Sequence, residues 1–158
     1  MIRKVVSGGQ TGVDRAGLDA AIKAGIPIGG YCAKGRLAED GIIPEQYPMI
    51  ELESPESFYR TEKNVIESDG TLIINIGELT QGTMLTYDFT LQYGKPSLIV
   101  QLDAEELIKP EHVVRWINGQ YINILNIAGP RESKIQGGIY DGALRYLNLV
   151  FDCLREFA

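Results

Sequence analysis

Apolar residues along this chain follow two alternating rhythms. Short, nearly continuous apolar runs occur at residues 4–7, 26–31, 71–76, 97–102 and 121–127. Runs of this length and β-branched content are the mark of strands buried on both faces of a parallel sheet. Between them the apolar positions repeat every three or four residues. Residues 13–24 carry Ala16, Ala20 and Ala24 four apart, with Leu18, Ala21 and Ile22 between them and Gly25 as a C-terminal stop. Residues 55–68 use Phe58, Val65 and Ile66, with Ser54 as the expected N-cap and Pro55 as the first helical residue. Residues 110–118 read as a short helix between Pro110 and Gly119. Residues 139–157 give the longest stripe, through Tyr140, Ala143, Leu144, Leu147, Val150, Phe151, Leu154 and Phe157.

One segment carries both rhythms. Leu85, Tyr87, Phe89, Leu91 and Tyr93 alternate with period two, as in a strand. Yet Gly82-Thr83 follows a buried run as a helix-opening turn would, and Gly94-Lys95-Pro96 stops the segment just before the next strand. Parallel neighbours need a crossover and cannot be joined by a hairpin, so a helix is expected here. The whole pattern predicts an α/β protein: a Rossmann-like, doubly wound, mostly parallel sheet with right-handed crossovers, in one domain spanning residues 1–158. Such sheets take ligands beyond the carboxyl ends of their strands. Residues 32–47 form a long loop punctuated by Gly35, Gly41 and Pro44, and residues 128–137 form another.

Composition narrows the picture. With 158 residues, 44% of them hydrophobic, the chain is long enough to bury a core. Its net charge of −6 argues against nucleic-acid binding, which needs a basic surface. No apolar run approaches the roughly 18 residues of a membrane span, so no membrane partner is expected. The first residues run directly into a strand with no signal-peptide pattern, and Cys32 and Cys153 match no metal or redox spacing. A cytoplasmic protein with two reduced thiols and no metal site is the expectation. Tyr87, Phe89, Tyr93, Phe151 and Phe157 exceed what one small sheet has to cover, and this predicts a homo-oligomer.

In an acidic chain, an anion site has to be built locally, which makes the placement of cations informative. Four loops at the carboxyl edge carry the candidates. The first is Ser7-Gly8-Gly9-Gln10-Thr11-Gly12-Val13-Asp14-Arg15, a strand-to-helix turn whose glycines and helix N-terminus suit a phosphate. It lacks the first glycine of a dinucleotide fingerprint and the Gly-Lys-Ser/Thr of a Walker loop, so a standard NAD or P-loop site is not expected. The second holds Lys34, Gly35 and Arg36 as a possible oxyanion clamp, with Glu39 and Asp40 to receive ligand donors. Read alone, this segment is equally well a solvated loop whose charges pair with each other. The third is Gly82-Thr83, with Thr83 as the expected helix cap and phosphate contact. The fourth holds Arg131, Ser133 and Lys134, and Arg60 on the second helix is placed to join them. Together these cations would draw in an anionic small molecule. The sole histidine, His112, lies on a polar helix away from these loops, so the usual general base has no candidate.

These motifs resemble a known family. The run from Ser7 to Arg15 with Leu18-Asp19, the Gly29 to Arg36 loop with Glu39-Asp40-Gly41 and Pro44, Arg60-Thr61-x-x-Asn64, Ser68-Asp69-Gly70-Thr71, Gly82-Thr83, and Leu125 to Ser133 are similar to the molybdenum carrier family, small proteins like molybdenum cofactor carrier protein. The resemblance covers nearly the whole chain. It implies a Rossmann-like fold related to the lysine-decarboxylase-like, Lonely Guy group of nucleotide-binding proteins. It also implies a ligand such as molybdenum cofactor, a pterin with a phosphate tail, or a related phosphate-bearing molecule. In that group's enzymes a Pro-Gly-Gly-x-Gly-Thr-x-x-Glu motif supplies a catalytic glutamate; here only Gln81-Gly82-Thr83 matches and Thr86 stands at the glutamate position. The departure weakens a phosphoribohydrolase reading and favours a binder, or a different chemistry; the first expectation is a molybdenum cofactor binding and carrier protein. The alternative is a nucleotide-binding or nucleotide-cleaving enzyme using Asp14, Glu39 or Asp40.

Overall fold

The computed structural model describes residues 1–157. Strand β1 (Lys4–Val6) leads through a tight turn into helix α1 (Val13–Lys23) and then β2 (Ile28–Gly29). A strap follows, made of β3 (Tyr31–Cys32), the hairpin β4 (Leu37–Ala38) and β5 (Gly41–Ile42), and β6 (Ile50–Glu51). The rest alternates: α2 (Ser57–Ile66), β7 (Gly70–Asn75), α3 (Gln81–Gln92), β8 (Ser97–Gln101), α4 (Pro110–Gly119), β9 (Ile124–Ala128), a 3₁₀ turn (Glu132–Lys134) and α5 (Tyr140–Glu156).

Five strands form one sheet in the order β2-β1-β9-β7-β8, and every neighbouring pair is parallel. This is the Rossmann-like α/β architecture that the alternating rhythms predict. All six residues of β7 are buried, which explains why its sequence is apolar without alternation. One face of the sheet carries α1, α4 and α5, whose Val13, Ala16, Val113, Ile117, Leu147 and Phe151 join Leu72, Ile74, Leu125 and Ile127 in the main core. The helices α2 and α3 pack against each other on the opposite face. A smaller core of Leu18, Cys32, Ile43 and Tyr47 holds the strap against α1.

The ambiguous segment is the helix α3, as the crossover requirement demands. Phe89 is buried on it and stacks edge-on against Phe58 of α2. The period-two rhythm there is therefore incidental.

Three expected boundaries shift for identifiable reasons. Residues 26–31 are not one strand. At Gly30 (φ 128°) the chain leaves the main sheet, and Tyr31–Cys32 pair in parallel with Ile50–Glu51 instead. The backbone of Gly30 passes so close to β1 that an added Cβ would stand 2.1 Å from the Ser7 carbonyl oxygen. Helix α2 begins at Ser57 with Glu56 at the N-cap, not at Ser54 and Pro55. The Ser54 hydroxyl accepts the Glu56 N–H at 3.2 Å, a local turn that competes with helix entry. The long loop at residues 32–47 contains the β4–β5 hairpin, tied at its base by the Ile43 N–H donating to the Arg36 carbonyl at 2.7 Å. The apolar excess is also smaller than expected: Phe89 and Phe151 are buried and Tyr87 is half-buried, which leaves Tyr93 and Phe157 exposed.

Candidate functional site

The helices after β1 and β9 leave the sheet toward one face, and the helix after β7 leaves toward the other. Because β9 lies between β1 and β7, the turns part there and open a crevice at the carboxyl edge. The crevice is a cleft of about 470 Å³. Its walls come from four places. The first turn gives Gln10 and Asp14, and α2 gives Ser57, Arg60 and Thr61. The start of α3 gives Thr80, Gln81, Gly82, Thr83 and Thr86, and the turn after β9 gives Gly129, Arg131 and Lys134.

The start of α3 has the features of an anion cradle. No side chain caps its free N–H groups and no acidic residue lies in its first turn. Thr80, rather than Thr83, occupies the N-cap; Thr83 sits three residues further on, within the first turn, and the two hydroxyls meet at 3.3 Å. Thr86 lies one helical step beyond Thr83 and its hydroxyl donates to the Gly82 carbonyl at 3.1 Å. Thr86, at the position where the related enzymes carry glutamate, therefore faces the cleft with no charge.

Asp14 is buried in the opposite wall. Its Oδ2 accepts the Gln10 N–H at 3.2 Å and lies 3.4 Å from Nη1 of Arg60. Burial pushes its carboxyl above the ordinary aspartate value, while Arg60, the Gln10 amide, Arg15 and Arg131 pull the other way and do not fully offset it. Gly8 makes this pairing possible. The Arg60 guanidinium fills the space where a side chain would stand, 1.8 Å from an added Cβ.

The second loop does not reach the cleft. Lys34 is exposed, and Gly35 beside it donates its N–H to Glu51. Arg36 sits at φ 52° and commits one nitrogen to the carbonyls of Ile43, Pro44 and Tyr47 at 3.0–3.1 Å, so it closes the hairpin and is not placed as an oxyanion clamp. Glu39 and Asp40 are also engaged within the protein. Glu39 accepts the Thr11 hydroxyl, and the Ser133 N–H at 3.1 Å and hydroxyl at 2.5 Å. Asp40 holds Arg15 in a two-point ion pair at 2.6 and 2.8 Å. Some burial opposes ionisation of Glu39, but the bonds from Ser133 and Thr11 outweigh it and lower its carboxyl below the usual range. The Arg15 guanidinium lowers Asp40 in the same way. These two carboxylates thus bind the hairpin to the first and last turns.

Of the residues picked from the sequence, the cleft gathers Gln10, Asp14, Gly82, Thr83, Arg131 and Lys134. Gly8, Gly9 and Gly12 shape the first turn behind it, while Thr11, Arg15 and Ser133 tie that turn to the hairpin. Arg60, expected to join the loops, does so. Ser57 and Thr80 join the cleft with no expectation attached to them, and so do Thr61, Gln81 and Thr86, which the sequence marks only through the family motifs. The signal available for the threonines was the helical spacing of Thr83 and Thr86 and the adjacency of Thr61 to Arg60. Tyr140 borders a second, shallower cleft instead, where its hydroxyl and that of Tyr47 both donate to Asp19.

A doubly wound parallel sheet with a polar, cation-bearing cleft at its switch point places the protein in the Rossmann-like class. Within that class, the sequence profile of the Circularly permutated YpsA SLOG family matches residues 5–151, and the chain belongs to that family. Among solved structures it is similar to a crystal structure of a protein from Syntrophus aciditrophicus, provisionally named a molybdenum carrier protein. The two are 47% identical over 94% of each chain, with a TM-score of 0.87. The resemblance read from the motifs therefore holds. No protein of curated function matches the chain.

Proposed function

We propose that this protein binds and carries a phosphate-bearing anionic small molecule in the cleft between the first turn, α2, α3 and the turn after β9, and that the ligand is molybdenum cofactor or a related phosphorylated pterin. One observation carries the reading. Arg60, Arg131 and Lys134 face the uncapped start of α3 across a cleft of about 470 Å³, within a protein of net charge −6. Free helix N–H groups and guanidinium forks are the donors that phosphate oxygens seek. A volume of that size suits a nucleotide- or pterin-sized molecule. The molybdenum carrier name of the Syntrophus relative supports the pterin. The four threonines of the wall supply neutral hydroxyls, which suit holding a labile ligand without reacting with it.

Titration with isolated molybdenum cofactor tests the proposal, together with native mass spectrometry of freshly purified protein. Saturable micromolar binding is expected. Arg131→Ala combined with Lys134→Ala is expected to weaken it by about tenfold or more, the usual effect of losing a charge-assisted hydrogen bond. Absence of saturable binding at micromolar concentration removes the cofactor assignment. A nucleotide-cleaving chemistry in the same cleft would have to use Asp14, because Glu39 and Asp40 are turned to the hairpin latch. Release of free base from a nucleotide panel, stopped by Asp14→Asn, would establish that reading instead.

A further inference from the structure

We propose that Asp14 meets the bound anion as a neutral acid, so that one proton enters the cleft with each ligand. This rests on the reading that the cleft takes an anion.

The cleft lining holds three cations, Arg60, Arg131 and Lys134, and a single carboxyl group, Asp14. Both hydrogen bonds of that carboxyl fall on Oδ2, from the Gln10 N–H and from Arg60. Oδ1 has no protein donor among the described residues. It is not sealed in the interior either, since Asn75 Oδ1 is the one buried side-chain polar atom there that lacks a partner. Oδ1 is therefore the carboxyl oxygen left free to meet an oxyanion in the cleft that Asp14 lines.

Two anionic oxygens do not come within hydrogen-bond distance unless a proton lies between them. Burial favours the neutral form of Asp14, and its neighbouring cations favour the ionised form: Arg60 from α2, Arg15 from its own helix and Arg131 from the turn after β9. The wall given by α3 has no titratable side chain. Arg15 is held by Asp40 and by the Gly9 carbonyl, so it stays in place. An arriving anion instead engages Arg60 and Arg131 and cancels their pull. Burial then decides the protonation state, and burial favours the neutral acid. The proton comes from solvent, no covalent bond is made or broken, and the Asp14 O–H donates to a ligand oxygen.

A site that supplies its own proton accepts fully ionised oxyanions, whereas an ionised carboxylate would demand a ligand that brings a proton. Sulfate, which carries no proton near neutrality, separates the two cases. Calorimetric titration of the full chain with sulfate and with phosphate, in buffers of different ionisation heat from about pH 5 to about pH 9, reads the proton count directly. The expected result is uptake of about one proton per sulfate on the alkaline side, with affinity falling about tenfold per pH unit there. Asp14→Asn keeps the donor and is expected to bind sulfate with no proton uptake and no loss of affinity at alkaline pH. Sulfate binding without proton uptake at any pH overturns the inference and leaves the anion cleft intact. So does uptake that survives in the Asn variant. Failure of both anions to bind at millimolar concentration, in the wild type and the variant, removes the anion reading itself and this inference with it. If the variant fails to fold by circular dichroism, the Asp14 carboxyl carbon resonance decides. A shift to the protonated position on adding sulfate supports the inference, and an unchanged ionised position refutes it.

Discussion

Two glycines show how single residues divide between folding and binding. At Gly8 the obstacles to a side chain are the Arg60 guanidinium, the far end of a flexible chain, and Oδ2 of the buried Asp14, 2.9 Å from an added Cβ. At Gly30 the obstacle is the Ser7 backbone, 2.1 Å from an added Cβ, at a φ of 128° that L-residues rarely adopt. Gly8→Ala is therefore expected to lower stability by about 1–2 kcal/mol while displacing Arg60 from Asp14 and weakening anion binding. Gly30→Ala is expected to cost about 3 kcal/mol, because both backbone strain and a backbone clash have to be relieved. Urea unfolding and a binding titration on the two variants check the contrast. A Gly8→Ala protein with unchanged affinity would show that the Arg60 position does not matter to the ligand.

At the level of elements, the β4–β5 hairpin serves as a fastener. Through Glu39 it joins Thr11 of the first turn to Ser133 of the last, and through Asp40 it fixes Arg15 at the start of α1. Neither side chain lies in the cleft, yet both hold the turns that do. Glu39→Ala is expected to cost about 1 kcal/mol in stability, the usual net value of such hydrogen bonds at a surface. It is also expected to speed amide exchange at Ser133 and across the hairpin, which mass spectrometry of exchanged peptides would read. The pH dependence has a definite sign. Both carboxyls titrate below their ordinary values in the folded protein, so their contribution is complete above the unfolded-state value. It is lost as pH falls through the lower, folded value. The fastener is therefore expected to hold at neutral pH and to open only in acid, and opening near neutrality would contradict it.

For the whole molecule, the tyrosines tie separate parts of the chain together and set its alkaline limit. The Tyr146 hydroxyl on α5 donates to the Ile108 carbonyl ahead of α4, and burial pushes its phenol up to about 12. Burial and the neighbouring Asp19 raise Tyr140, and raise Tyr47 as well, which links α5 and the strap to α1. A phenol whose folded value is raised contributes stability that is fully present below about pH 10, the unfolded-state value. That stability declines as pH rises toward the folded value. Unfolding free energy is thus expected to drop above about pH 10, with part of the phenolate absorbance appearing only as the protein unfolds. An absorbance titration followed alongside circular dichroism would show it; complete ionisation of all eight tyrosines in the folded state would refute it.

The sequence by itself determined the alternation of strands and helices and the fold class, because burial on both faces of a parallel sheet leaves uninterrupted apolar runs that local inspection can find; the loop motifs determined the family. It also marked the turns after β1, β7 and β9 as polar and glycine-bearing. It did not determine which of the marked charges share a cavity. Lys34, Arg36, Glu39 and Asp40 are cations and carboxylates like Arg60, Arg131, Lys134 and Asp14, and spacing along the chain does not separate the two groups. Only the tertiary structure does so. Insertion of β9 between β1 and β7 decides where the sheet edge opens, and the hairpin turns one set of charges onto the protein's own backbone and hydroxyls. Pairing between residues 94 apart, such as Glu39 with Ser133, is a product of topology and leaves no periodic trace in the chain.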